Sequence, residues 1–175
     1  FINTLAAIEA GAVRVHGTML GIGERVGNTP LDLILVNCKL LGWIDNDLTQ
    51  LQAYCDLVSR QCAVPIPVNY PVLGRDAFRT GTGVHAAAII KAKDKGADWL
   101  ADRVYSGVPA AWVGRHQEIE IGHMSGESNV IYWLKANGYV PTRPVVEAIF
   151  SKAKSMNRNL TDAEIRDVIH SGGAN

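Results

Sequence analysis

The segment Gly21-Ile22-Gly23-Glu24-Arg25-Val26-Gly27-Asn28 sets a carboxylate, a guanidinium and an amide in a glycine-punctuated turn. Glycines let the backbone crowd a ligand that bulkier residues would exclude. Glu24 could orient or deprotonate a reacting group, and Arg25 could grip a carboxylate. On an ordinary surface the same two residues form only a solvated ion pair worth about 0–1 kcal/mol. Asn28 reads as the cap of the helix that follows. The glycine spacing is not that of a dinucleotide loop, because Val26 stands at the third glycine position. Further along, His85 lies between small residues in Gly83-Val84-His85-Ala86. An accessible imidazole there is either a surface group near a helix start or a general base, since histidine titrates near neutrality. Tyr105, taken alone, is a packed aromatic.

These groups have to be positioned by local structure. A helix is expected over residues 2–10, closed by Gly11, followed by a strand over 13–19, Val-Arg-Val-His-Gly-Thr-Met, on strand propensity. Alternation along that strand sends Arg14, His16 and Thr18 to one side and Val13, Val15 and Gly17 to the other, with His16 equally suited to a satisfied core position. A helix capped by Asn28 or Thr29, with Pro30 in its first position, is dense enough in Leu31, Leu33, Ile34, Leu35, Leu40 and Leu41 to be buried on most sides. Gly42 ends it. A helix opened by Asp45 to Asp47 repeats Leu48, Leu51, Tyr54, Cys55 and Val58 at intervals of three and four.

Prolines at 65, 67 and 71 make 63–76 an ordered non-helical crossing segment. Helices are expected over 83–93 and 125–136, the second stopped by Gly138, and another opens at Thr142-Arg143-Pro144. Residues 106–122 read as irregular. Thr161 and Glu164 have capping-box spacing for the last helix, and 171–175 read as a frayed end. His116, His123 and His170 have no ligand spacing and read as surface groups. Ser125 to Asn129 reads as a helix cap and packing element.

The 175 residues, 47% hydrophobic, suffice for a sizeable core. Lys plus Arg and Asp plus Glu balance at 17 each, so no net field recruits nucleic acid or an anionic membrane. No apolar run approaches the roughly 20 residues that a bilayer span requires. The three cysteines, Cys38, Cys55 and Cys62, lack a Cys-x-x-Cys pair. They read as buried small hydrophobes kept reduced, which together with the missing targeting signal gives a cytoplasmic expectation.

Three collinear motifs carry a resemblance. His16-Gly17-Thr18 leading into the Glu24-Arg25 turn, Thr80-Gly81-Thr82-Gly83-Val84-His85, and Tyr105 to Arg115 running into Met124-Ser125-Gly126-Glu127-Ser128-Asn129-Val130 are similar to segments of the acyl-CoA and 2-oxo acid condensing family. That family includes the 2-isopropylmalate, homocitrate and citramalate synthases. The resemblance implies an α/β fragment, mostly helical: the last helix, strand and helix of a (β/α)8 TIM barrel over 1–46, then a helical post-barrel subdomain, a linker and dimer-forming region, over 47–175. It implies a metal-dependent acyltransferase acting on acetyl-CoA and a 2-oxo acid, working as a homodimer that shares active-site residues. It implies that Asn28 ligates a divalent cation (Mg, Mn, Zn or Co), that Gly27 allows close approach of the bound group, and that Thr18 and Arg25 contact the 2-oxo acid. Glu24, His85 and Tyr105 take catalytic roles, the last two serving a neighbouring subunit's acetyl group.

The same resemblance places seven further barrel strands, an Asp-Arg-Glu turn and a His-x-His strand ahead of Phe1, so the chain reads as a truncation that is inactive alone. Ala86-Ala87-Ala88 stands where isopropylmalate synthases commonly carry Gln-Asp, which leaves the 2-oxo acid open. A carbon-carbon lyase of the same superfamily would share the glycine turn without His85, Tyr105 and the Ser-Gly-x-Ser-Asn segment. A non-catalytic dimerisation module is the other alternative.

Overall fold

The computed structural model describes residues 1–172. Its elements are mostly helical: α1 (Ile2–Glu9), α2 (Leu31–Leu40), α3 (Leu51–Cys62), α4 (Gly83–Asp94), α5 (Asp98–Ala101), α6 (Glu127–Ala136), α7 (Arg143–Lys154) and α8 (Asp162–Gly172). The strands are two residues each, β1 (Arg79–Thr80) and β2 (Glu118–Ile119). They pair in parallel, Arg79 opposite Glu118 and Thr80 opposite Ile119. By its own packing the chain divides into two compact units: Phe1–Phe78 with Gly107–His116, and Arg79–Ser106 with the residues from Gln117 onward.

In the first unit, α2 turns Leu33, Ile34, Val36 and Cys38 inward. Val36 joins Leu48, Leu51, Cys55, Leu73, Phe78, Ala110 and Val113 in one core, while Ile34 and Cys38 meet Leu5 of α1 in a smaller one. Burying such aliphatic side chains contributes about 1.5–3 kcal/mol each. No residue from Leu31 to Lys39 is exposed, so α2 is buried on most sides as expected, and only Leu40 and Leu41 at its end reach the surface. The helix also begins one residue later than expected, with Pro30 as its N-cap and Leu31 first.

The helix expected from Asp45 starts at Leu51. Asp47 Oδ1 accepts the Thr49 N–H at 2.8 Å, which ties residues 47–49 into a turn that competes with helix. Tyr54 lies exposed on the outer face of α3 despite its periodic spacing. No strand forms over 13–19. Only Thr18 pairs, in an isolated parallel bridge with Pro30, and Val13 is fully exposed. A β-branched run becomes a strand by packing and pairing with neighbours, and among the described residues no strand pairs with 13–17. The predicted alternation of Arg14, His16 and Thr18 therefore has no sheet to act on, and His16 is a surface residue rather than a core one.

In the second unit α4 packs Ala86, Ile89 and Ala92 with Ala101 of α5 and Ile119 of β2. α6, α7 and α8 close on Ile121, Val130, Trp133, Leu134, Val146, Ile149, Ala153, Leu160 and Ile165. The Thr161–Glu164 box forms as its spacing predicts: Glu164 Oε2 accepts the Thr161 N–H at 2.9 Å, and Thr161 Oγ1 accepts the Glu164 N–H at 3.3 Å. Arg158 adds a bidentate pair to the same carboxylate, and hydrogen bonding to that guanidinium holds Glu164 well below the usual carboxylate range. Thr142 stands at the N-cap position of α7, without a side-chain bond to the helix, and Pro144 lies in the first turn, so the helix opens as read. Of the expected frayed end at 171–175, Ser171 and Gly172 belong to α8, and 173–175 lie outside the described residues.

The cysteine reading needs one correction: Cys38 and Cys55 are buried and Cys62 is exposed at the end of α3. Burial raises the Cys38 thiol and, with the charges of Asp32 and Asp56 behind it, pushes Cys55 up to about 12. Since the thiolate is the reacting species, iodoacetamide on the native chain should alkylate Cys62 and spare the other two. Peptide mass spectrometry with and without denaturant would check this. Equal labelling of Cys55 in the native state would contradict the packing.

Candidate functional site

The expected site residues fall into two groups, one in each compact unit. The first is the turn from Thr18 to Asn28, which is built by backbone closure. Thr18 N–H donates to Thr29 O at 3.0 Å and Leu31 N–H to Thr18 O at 2.9 Å. The mouth is pinned by Asn28 N–H on Gly21 O at 2.7 Å, with Gly27 N–H on Glu24 O at 2.9 Å inside it. Gly27 has φ +102, and a Cβ there would lie 2.1 Å from Gly21 O, so only glycine lets the two legs of the turn touch.

Glu24, Arg25 and Asn28 are all exposed on this turn. Arg25 takes φ +57, a left-handed conformation that costs a non-glycine residue about 1–2 kcal/mol. Asn28 does not cap α2; its Nδ2 donates to Ile22 O at 3.4 Å. The Thr18 hydroxyl donates to Ile22 O at 2.7 Å, so its proton is committed to the turn and only its oxygen lone pairs remain for a ligand.

Sequence reading missed the residue that anchors this turn. Asp32 is fully buried on α2. Its Oδ1 accepts the Leu20 N–H at 2.6 Å and its Oδ2 accepts the Tyr70 hydroxyl at 2.9 Å. Leu20 is itself left-handed, φ +58, and the carboxylate fixes that strained residue just before the glycines. Burial, followed by the Asp32 charge, raises the Tyr70 hydroxyl and keeps it a donor. The available signal was an acidic residue inside the apolar run Leu31–Leu35, where a charge is seldom buried without partners.

The second group is formed by His85, in the first turn of α4, and Tyr105, in the turn after α5. Their rings meet with centroids 4.0 Å apart and an interplanar angle of 31°. Both are exposed. An imidazole held against an aromatic face loses rotamer freedom while its edge stays open to a ligand, which is how a proton-transfer group is preorganised. Close by in sequence, Ser125 and Asn129 are buried and structural, as expected. Ser125 Oγ accepts the Gly122 N–H at 2.8 Å and donates to Gly81 O at 2.6 Å. Asn129 Oδ1 accepts the Gly126 N–H at 3.2 Å, and its Nδ2 donates to Glu120 O at 2.9 Å. Together these bonds tie the loop before α6 to the Gly81 segment that starts α4. His116, His123 and His170 are exposed, as read.

Among the described residues no three His, Cys, Asp or Glu side chains converge as a cation site would require. Asn28 alone offers one amide oxygen, which does not make such a site. No helix of the described residues is long and apolar enough to cross a membrane.

Comparison with known proteins bears out the resemblance read from the motifs. Residues 2–58 match the HMGL-like family model. The chain is 30% identical over 172 residues to homocitrate synthase AksA of Methanopyrus kandleri, covering 95% of this chain and 41% of that protein. It is 32% identical over 162 residues to an (R)-citramalate synthase of Aquifex aeolicus, covering 89% of this chain and 29% of the relative. A third relative, "Probable 2-isopropylmalate synthase" of Ignicoccus hospitalis, is 31% identical over 173 residues, covering 95% of this chain and 41% of its own length. The chain thus spans about a third of the length of the curated relatives it matches.

Proposed function

From a chain related along nearly its whole length to citramalate, homocitrate and 2-isopropylmalate synthases, we propose that it is the segment of an acyl-CoA:2-oxo acid condensing enzyme that supplies the proton-transfer pair. The observation that carries this is the ring contact between His85 and Tyr105, residues twenty apart that the α4–α5 fold brings to 4.0 Å at an open surface. The three motifs that resemble the condensing family place the same two residues together, and nothing in composition or periodicity does so.

In the proposed reaction the imidazole of His85 removes a proton from the acetyl methyl of acetyl-CoA. The resulting enolate carbon attacks the keto carbon of a 2-oxo acid, forming the new carbon-carbon bond and an alkoxide that takes up a proton. Water then cleaves the thioester and releases CoA as its thiol. The methyl protons are very weakly acidic, so a positioned base is the first requirement, worth about 10²–10⁴ in rate. Tyr105 holds the imidazole edge-on to the acetyl group. In the other unit Arg25 binds the carboxylate of the 2-oxo acid, and its left-handed backbone is the strain that turns this side chain outward. The Thr18 oxygen and Glu24 line the same turn, and Gly27 keeps it tight enough for close approach. Asn28 would hold a divalent cation jointly with ligands beyond these residues, and that cation would polarise the keto group of the 2-oxo acid.

The same proposal places residues 13–19 as the final strand of a barrel, its neighbours supplied by the rest of a longer parent. Unpaired backbone over a β-branched run is an edge that proteins cover. It further places 47–175 as the post-barrel region of a cytoplasmic homodimer in which His85 and Tyr105 reach the partner's acetyl group. The test is thiol release from acetyl-CoA across a panel of 2-oxo acids, with and without divalent metal, using the longer parent protein. Release dependent on one 2-oxo acid is the expected result. No release with any of them, from a folded parent, would leave only a binding role.

A further inference from the structure

The condensation chemistry leaves unused a cleft of about 490 Å³ in the first unit, alongside α3. Gln52, Asp56 and Arg60 recur at four-residue intervals on the helix face that lines it, and Arg75 and Arg115 line it from outside that helix. Its remaining wall is Ser59 with the apolar Pro65, Ile66 and Leu73. Its size is that of a small-metabolite site.

The polar groups around it are unevenly satisfied. Arg115 is fixed: its Nη1 donates to Gly74 O at 2.6 Å and its Nη2 to Arg75 O at 3.2 Å, while the guanidinium lies over the Phe78 ring. That arrangement sets the backbone carrying Arg75. Neither the Arg75 nor the Arg60 side chain has an ion-pair partner among the described residues. Gln52 Nε2 donates to Asp56 Oδ1 at 3.0 Å, which leaves Gln52 Oε1 buried with no partner at all. A buried acceptor without a donor is uncommon enough to call for a specific account. That atom is shut away from solvent, so the acceptor the cleft offers a ligand is the Asp56 carboxylate.

We infer that this cleft binds a small carboxylate bearing a hydrogen-bond donor beside its charged group: an amino or hydroxy acid with a short hydrocarbon body. The carboxylate meets the Arg60 and Arg75 guanidiniums, whose planar forks match its geometry. The ammonium or hydroxyl donates to the Asp56 carboxylate. The hydrocarbon lies on Pro65, Ile66 and Leu73. The inference does not depend on the condensation reading, since every residue it uses is outside the proposed reacting groups.

Calorimetric titration of the 175-residue chain with L-norleucine, 2-hydroxyhexanoate, hexanoate and sulfate tests each part. Norleucine or hydroxyhexanoate should bind at least about tenfold more tightly than hexanoate, which lacks the donor, and sulfate should not saturate. Arg75→Gln and Arg60→Gln, both exposed positions that leave the fold intact, should each weaken binding about tenfold. Asp56→Asn should remove most of the advantage of norleucine over hexanoate. Equal affinity for hexanoate and norleucine, or Arg variants that bind like the parent sequence, would overturn the assignment. Either failure would leave thiol release by the parent untouched.

Discussion

Replacing His85 by alanine in the parent enzyme should lower kcat for thiol release by about 10²–10⁴, the loss typical of removing a positioned general base, while the KM for the 2-oxo acid stays within about twofold. The split follows from the architecture. The proposed 2-oxo acid contacts, Thr18 and Arg25, belong to the turn before α2, and His85 belongs to the first turn of α4 in the other compact unit. His85 is exposed, and surface substitutions of that kind shift stability by about 0.5 kcal/mol or less. An unchanged thermal melt should therefore accompany the lost rate. A variant that loses 2-oxo acid affinity or melts early would make the histidine a packing element and remove the basis of the proposal.

Tyr105 refines the same experiment, because its ring and its hydroxyl can be separated. Tyr105→Phe keeps the face that contacts the imidazole at 4.0 Å and removes only the hydroxyl. If orientation is the role, Tyr105→Phe keeps most of the activity and Tyr105→Ala loses about tenfold or more, since misplacing a base lowers the rate steeply. If the hydroxyl relays a proton, the two variants fail alike.

What the chain's letters disclosed depended on whether the cause was local. The Thr161–Glu164 cap and the Thr142–Pro144 start rest on bonds within one turn of helix, and both form as read. The strand at 13–19 failed because its propensity is a statement about neighbours, and among the described residues only Thr18 finds a pairing partner, in the bridge to Pro30. The two-residue pairing of Arg79–Thr80 with Glu118–Ile119 joins positions 39 apart that no periodicity marks. Spacing alone likewise could not join His85 to Tyr105; the family resemblance did. Cys62 and Tyr54 were read inward because their types usually are, while the ends and outer faces of helices follow packing rather than residue type. Asp32 went unnoticed because its partners, Leu20 N–H and Tyr70 hydroxyl, lie 12 and 38 residues away.

That carboxylate carries the largest stability effect expected in the molecule. Asp32→Ala removes two charge-assisted hydrogen bonds and leaves the Leu20 N–H and the Tyr70 hydroxyl without a partner, at a combined cost of roughly 3–5 kcal/mol. Asp32→Asn keeps an acceptor for Leu20 and the side-chain volume, so about 1–2 kcal/mol is expected, and Tyr70→Phe should cost a similar amount. Denaturant titration would rank the three, and a cost below about 1 kcal/mol for Asp32→Ala would show that the turn stands without its anchor. Alkaline titration supplies an independent check on the same cluster. Tyr70 is raised by burial and then by Asp32, and Cys55 is pushed from its ordinary 9.0 to about 12, again by burial first. Both folded-state values lie above the unfolded ones, so the folded chain holds the extra protons, and stability falls wherever it does. Stability should be level below about pH 9 and fall as pH rises toward 12. Tyr70→Phe should flatten that decline, and Asp32→Asn should also flatten it by removing a negative charge that raises both groups; an unchanged slope in both variants would mean that the phenol and the carboxylate are not in contact.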